Sequence, residues 1–441
     1  MDLHVNHLRR AIELLCAVVL TAGGYLVSSR LQRIWWPVWL APLPVLLLAT
    51  RLRALQAAST RLLSLVLMAS LVSSIANAQS PSGDHGGSGR ADKGELSATE
   101  SVTDAEYRKF EKVESFIRAR NARDYAISTP NGIDEGSYVS IGGIEQWVTI
   151  RGEDRSNPVL LFLHGGPGDV TNPWSFAFFA PWEKYFTVVQ WDQRGAGRTL
   201  RKTGPEVAST MKVDRMTKDG IELTEYLRKY LHKDKIFVVA HSFGTILGLG
   251  MVRAKPELFY AYVGTGQVAD ELKNYSVAYD ALLQKAQAIG NQEAIDELKR
   301  VGPPPYANGE GYGAQRKWSN RFEGSYEFLY GTIGLASVAP GVTLQDINDD
   351  FDGQILADVL VSQTRSMGPA ELGLEFSLPM FVFEGDEDFT TPTALARQYV
   401  ASMKAPRKEF VLFPGGHFAM FTHSDEFLRE LVKRVRPLAV H

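Results

Sequence analysis

A serine, a histidine and a group of acids stand in an order that suits nucleophilic catalysis. The apolar run Ile236–Ala240 leads into Ala240-His241-Ser242-Phe243-Gly244, and Thr245-Ile246-Leu247-Gly248-Leu249 can then begin a helix. A small-x-Ser-x-Gly turn between strand and helix is a nucleophile elbow: small neighbours let the backbone pass at strained angles and leave the serine oxygen exposed. Ala240 adds one methyl where the first glycine usually stands. A serine hydroxyl is a poor nucleophile until a base removes its proton and a carboxylate orients that base. Both partners follow. Asp386, Glu387 and Asp388 come after the apolar run Met380–Glu384, and His417 comes after Glu409–Phe413. Of the nine histidines, His423 reads as a surface or helix-start residue, and His241 should point elsewhere on such a turn. Spacing alone does not choose among the three acids.

The chemistry would be attack on an amide or ester carbonyl, which needs N–H donors for the developing oxyanion. Glycines let peptide N–H groups approach a ligand closely, and His164-Gly165-Gly166-Pro167-Gly168 follows the run Val159–Leu163. The first donor should be the N–H of Phe243 and the second that of Gly166, with Gly165 in reserve. No metal and no cofactor are called for. Cys16, the only cysteine, lies in an N-terminal apolar run, so a cysteine nucleophile, a disulfide and a zinc-thiolate site are excluded from the globular part.

The elements that must hold these residues are short and largely apolar. Candidate strands are Glu145–Arg151, Val159–Leu163, Thr187–Trp191, Ile236–Ala240, Tyr260–Gly264, Met380–Glu384 and Glu409–Phe413. Continuous apolar strands separated by helices predict a mostly parallel sheet covered on both faces, an α/β fold. The rhythm breaks between Ala269 and Gly373, where helices such as Tyr279–Ala288 and Gln292–Arg300 predict an inserted helical cap. Its aromatics Tyr306, Tyr312, Trp318 and Phe322 could line a pocket or pack together. The core would then comprise residues 102–268 and 374–441, with the cap at 269–373.

Hydrophobic residues make up 45% of the 441-residue chain, which excludes wholesale disorder. The formal charge of −3 hides a split: residues 1–78 hold seven Arg against Asp2 and Glu13, and the remainder holds 40 basic and 48 acidic residues. So acidic a domain lacks the field that draws phosphate backbones, and nucleic acid is not an expected partner. Residues 1–78 contain three apolar stretches, Ala11 to Val27, Ile34 to Ala49 and Leu62 to Ala78, each near membrane-spanning length. The third also reads as a signal peptide cleaved after Ala78. Arg9, Arg10, Arg51, Arg53 and Arg61 outnumber Arg30 and Arg33, which predicts a membrane-tethered hydrolytic domain outside the cytoplasm. Residues 79–101, with Gly86-Gly87-Ser88-Gly89, read as a flexible linker. Tyr107, Phe110, Val113 and Ile117 then recur at the spacing of a helix that packs one side on the domain.

His164-Gly-Gly-Pro-Gly168 followed by Trp191-Asp192-Gln193-Arg194-Gly195-Ala196-Gly197-Arg198-Thr199 resembles the proline iminopeptidase family of α/β-hydrolases over roughly Ser137 to Pro437. The resemblance implies the α/β-hydrolase fold and a Ser-His-Asp triad. The family's Gly-x-x-Asp with Pro four residues on maps to Gly385, Asp388 and Pro392, which prefers Asp388 over Asp386. Asp192 and Arg194 correspond to the family's buried structural turn. Acidic cap residues there hold the substrate's free α-amine. The family's Trp-Ser-x-x-Glu-Gly resembles Trp318-Ser319-Asn320-Arg321-Phe322-Glu323-Gly324, one residue longer, which makes Glu323 the candidate amine anchor.

The expected activity is that of a serine hydrolase, an aminopeptidase acting on short peptides with a free N-terminus. An esterase or lactonase would share all of the machinery except the amine site. A non-catalytic envelope binding protein would leave the triad without a purpose, and epoxide hydrolysis requires a carboxylate where Ser242 stands.

Overall fold

The computed structural model describes residues 93–306 and 308–439. The three apolar stretches and most of the Gly-rich linker lie outside the described residues. Among the described residues no helix is long and apolar enough to cross a membrane.

Eight strands form one sheet: β1 (Ile133–Ile141), β2 (Ile144–Gly152), β3 (Val159–Leu163), β4 (Thr187–Trp191), β5 (Ile236–His241), β6 (Phe259–Thr265), β7 (Met380–Gly385) and β8 (Lys408–Phe413). Their order is β1-β2-β4-β3-β5-β6-β7-β8. β1 and β2 make an antiparallel hairpin and β2 pairs antiparallel with β4; every later pairing is parallel. The seven strands expected from the sequence are all present within one residue of their predicted ends. β1 is the addition, hidden in the sequence because Asp134, Glu135 and Gly136 interrupt its apolar residues. It is defined by its turn: Gly142 and Gly143 both have positive φ, +58° and +79°, as a two-residue hairpin turn of the twist-matched type requires.

Residues of β3 and β5 alternate between two apolar cores, one on each face of the sheet. Leu161, Leu163, Val238 and Ala240 pack into one, and Leu160, Phe162, Phe237 and Val239 into the other. This period of two explains why these strands read as unbroken apolar runs: both sides are buried, so no position is left for a polar residue.

The helices that matter for the site are α1 (Lys93–Asp124), α2 (Gly197–Thr203), α3 (Val213–Tyr230) and α4 (Phe243–Ala254), and then six of the seven between β6 and β7. These six are α5 (Glu271–Ala288), α6 (Gln292–Val301), α7 (Gly309–Glu323), α8 (Ser325–Ser337), α9 (Leu344–Leu356) and α10 (Asp358–Thr364). Side chains of Asp270, Asn291, Asn308 and Thr343 accept from the first-turn N–H groups of α5, α6, α7 and α9, so each start is coded locally. Tyr279, Leu282, Leu298 and Trp318 form a small core of this insertion. Trp318 is buried there against Phe322 and Tyr306 packs edge-on to Tyr312, so these aromatics pack together.

Two expectations at the N-terminal side need correction. The helix begins at Lys93, inside the segment read as linker, because the Gly-Ser run ends at Gly89 and Glu95-Leu96-Ser97-Ala98 permits a helix. Where its side chains are described it also does not bury an apolar side: Val113 is 54% exposed, Phe116 67% and Ile117 36%. Its last turns are held by polar bonds instead, from Arg118 Nη2 to the Ser337 carbonyl at 2.5 Å and from Asn121 Nδ2 to the Val338 carbonyl at 3.0 Å.

Candidate active site

β5 delivers Ser242 to the carboxyl edge of the sheet, where α4 starts at once. Ser242 has φ +53° and ψ −124°, a conformation non-glycine residues rarely adopt and one that an elbow imposes. The crowding explains the small neighbours. A Cβ on Gly244 would collide with the carbonyl oxygens of Leu163 and His164. Ala240 takes the place of the usual first glycine and is fully buried, and Gly248 of α4 leaves the room beside its methyl.

The loops after β7 and β8 bring the other two expected residues to this oxygen. His417 Nε2 lies 2.9 Å from Ser242 Oγ, and His417 Nδ1 lies 2.8 Å from Asp388 Oδ2. Asp388 is fixed from several sides: Oδ1 accepts from the N–H groups of Thr390 at 2.9 Å and Thr391 at 2.7 Å, and Oδ2 from Thr391 Oγ1 at 3.0 Å. Asp386 is exposed and instead accepts from the Gly415 N–H at 2.9 Å, so it braces the two loops. Glu387 pairs with Lys285, and His423 precedes the short helix Ser424–Glu430.

Burial alone would raise Asp388, but His417 and the donors around it hold its carboxyl below the ordinary range. Burial likewise opposes an imidazolium at His417, yet Asp388, Glu323 and Asp169 outweigh it and hold that residue above its ordinary value. His241 shows the opposite. Its ring centroid is 4.8 Å from that of His417, its Nε2 bonds the His417 carbonyl at 3.0 Å, and burial pulls it down to about 3. It is a neutral support beneath the base.

The glycine loop after β3 passes directly over the serine. A Cβ on Gly165 would come within 2.9 Å of Ser242 Cβ, and Gly166 has φ +104°. Phe243 is the first residue of α4, so its N–H has no partner within the helix. The loop is tied to the other motif of the resemblance: the Gln193 N–H donates to His164 Nε2 at 3.2 Å and Gln193 Nε2 to the His164 carbonyl at 3.1 Å. Burial keeps His164 neutral by lowering it to about 4.

Glu323, at the end of α7, stands against the acid loop rather than free in solvent. Its Oε1 accepts from the N–H groups of Phe389 at 2.6 Å and Thr390 at 2.8 Å, and its Oε2 from Ser325 Oγ at 2.9 Å. Burial, with Asp388 nearby, lifts it to about 7. Asp169, next after the glycine loop, is lifted by burial to about 6 and is near enough to His417 to feel its charge. Across from it, Asp350 of α9 accepts from the Val170 N–H at 2.8 Å. Reading the sequence does not single out Asp169, Thr391 or Glu384. Only Glu384 carries a signal, as the one charged residue in the apolar strand β7.

Several known proteins are similar to this chain. The probable aminopeptidase YbaC of Bacillus subtilis (strain 168) is 28% identical over 291 residues, 62% of this chain and 87% of that protein. The proline iminopeptidase of Neisseria gonorrhoeae is 33% identical over 123 residues, 27% of this chain and 36% of that protein. The match therefore spans about a third of that second relative's length. Among solved structures, a proline iminopeptidase-related protein from Thermus thermophilus superposes with a TM-score of 0.50 at 20% identity, covering 70% of this chain and 99% of that one, a likeness of fold. The model of the alpha/beta hydrolase family matches residues 160–430, more than half of the chain, and this protein belongs to that family.

Proposed function

We propose that the chain is a serine hydrolase, and within that class an aminopeptidase that releases N-terminal residues from short peptides. The observation that carries this is the continuous relay from Asp388 through His417 to Ser242, with hydrogen-bond distances of 2.8 and 2.9 Å. Ser242 Oγ attacks the carbonyl carbon while His417 Nε2 takes its proton, and Asp388 steadies the resulting imidazolium. The N–H groups of Phe243 and Gly166 receive the oxyanion, His417 protonates the leaving amine, and water then repeats the sequence on the acyl-enzyme. Glu323 supplies negative charge for the substrate's ammonium. The peptidase reading is supported by YbaC and the proline iminopeptidases as relatives and by the excess of carboxylates around His417.

The test compares a prolyl anilide, its N-acetylated twin and a simple nitrophenyl ester. Cleavage of the free-amine anilide but not of its N-acetylated twin is the expected result, and cleavage of the ester alone would establish an esterase. One observation favours that second reading: Glu323 already accepts from the Phe389 and Thr390 N–H groups and from the Thr390 and Ser325 hydroxyls, so an ammonium would have to share its oxygens with them. We further propose that the N-terminal apolar stretches hold the domain outside the cytoplasm, which protease accessibility in intact cells would test; protection there would overturn it.

A further inference from the structure

Glu384 lies near the end of β7, four residues before Asp388, has no solvent exposure, and is near enough to Asp388 that each carboxyl feels the other. Two carboxylates close together in a dry site are costly to charge at once, so one of them holds a proton. The surrounding donors decide which. Asp388 collects the N–H groups of Thr390 and Thr391, the Thr391 hydroxyl and His417 Nδ1. Glu384 receives backbone N–H donors from the turn after β6, with Gln267 N at 3.0 Å from Oε2, while Oε1 is buried with no donor at all. A buried carboxylate oxygen without a donor is costly, whereas a hydroxyl aimed at an anion is satisfied. The proton therefore belongs on Glu384.

We propose that Glu384 is held as the neutral acid and donates its Oε1 proton to Asp388, acting as a positioning residue for the triad. The inference rests on the reading of Ser242, His417 and Asp388 as the catalytic set. It adds a second donor layer beneath the acid: Glu384 shares the charge of Asp388, which limits how strongly Asp388 can raise His417. The shift of Glu384 well above the ordinary carboxylate range, from burial and then from Asp388, agrees with the geometry. The other groups facing this pair are Tyr262 from β6, whose hydroxyl bonds Gln267 Oε1 at 2.7 Å, and, around His417, Glu323, Asp169 and His241.

Two measurements on the full chain test it. The first is the infrared difference between wild type and Glu384→Gln at pH 8. Loss of a protonated-carboxyl C=O band is expected, and loss of a carboxylate band instead overturns the proposal. This reading needs no turnover, so it stands apart from failure of the proposed activity. The second is the acid limb of kcat/KM on a nitrophenyl ester. Glu384→Leu removes the donor, Asp388 keeps its full charge, and the limb moves to higher pH. Glu384→Gln, which still donates through its amide, returns the limb to its wild-type position. A limb displaced downward in Glu384→Gln would mean that Glu384 had been ionised. An unmoved limb in Glu384→Leu would leave Glu384 a purely structural residue, and either result overturns the proposal.

Discussion

Two polar centres are buried against the same sheet and are built on opposite rules. At the Arg194 turn every charge has its match. Arg194 bonds Asp219 at 2.7 and 3.2 Å, Thr210 at 2.9 Å and the Gly142 carbonyl at 2.8 Å, and Asp219 also takes Arg215 at 2.8 Å and Gln146 at 3.0 Å. At His417 the count is uneven: Asp388, Glu323 and Asp169 act on one imidazole, with Glu384 behind Asp388, and among the described residues no Lys or Arg forms an ion pair with any of them. A saturated centre serves as scaffold. An unbalanced centre changes its protonation within an ordinary working range, which is what acid–base chemistry needs.

The comparison breaks most sharply at the serine. Ser242→Ala removes the proposed nucleophile while leaving the elbow and the Arg194 network in place, so kcat should fall by on the order of 10⁶-fold, as in other triads. The unfolding midpoint should stay near wild type, and near-normal turnover would refute the assignment. Asp388→Asn keeps the shape of the acid but forces the wrong imidazole tautomer, and a loss of ~10⁴-fold in kcat is expected.

The same comparison explains how far the site is legible in the sequence. The elbow is local, since Ser242, Gly244 and Gly248 are close neighbours whose sizes report one turn. The order of serine, acid and histidine is likewise a property of the strands that carry them. Choosing Asp388 over Asp386 takes the family resemblance, because both follow β7 by a few residues; in space one faces His417 and the other braces Gly415. The bonds from Glu323 to Phe389 and Thr390 join residues 66 and 67 positions apart, and no local pattern encodes such a pairing. β1 is hidden for a related reason: an edge strand with one half-solvated side can carry Asp134 and Glu135, so its apolar signal is thin.

Arg194→Met tests the scaffold half. Removing one partner of a buried ion pair strands the other charge, so a loss of roughly 3–5 kcal/mol in unfolding free energy is expected. Asp219 would keep Arg215 and Gln146, which limits the damage. The rate per folded molecule should be that of wild type. A variant as stable as wild type would show that the turn is not the matched centre described, and a catalytic loss in the folded fraction would erase the division between the two centres.

The smallest effect sharpens the unbalanced half. His417 accepts a proton only when neutral, and its value is held above 6.5, so kcat/KM should fall as pH drops through a point higher than for an ordinary histidine. Glu323, at about 7, loses its own proton in the same interval, and the pair should give apparent values that belong to both groups. Glu323→Ala removes one of the carboxylates that favour the imidazolium, so the acid limb should move to lower pH. Displacement by about one unit would raise kcat/KM roughly tenfold below the limb. The readout is the nitrophenyl ester, because that substrate has no ammonium and isolates the effect on His417 from any on amine binding. Stability carries the complementary sign. A carboxyl raised from 4.5 to about 7 in the folded state binds its proton more tightly there than when unfolded, so its contribution to unfolding free energy declines as pH rises across that window and is constant above it. Urea midpoints at pH 5 and pH 8 should therefore differ more in wild type than in Glu323→Ala, and equal differences would mean that Glu323 is already ionised at the lower pH.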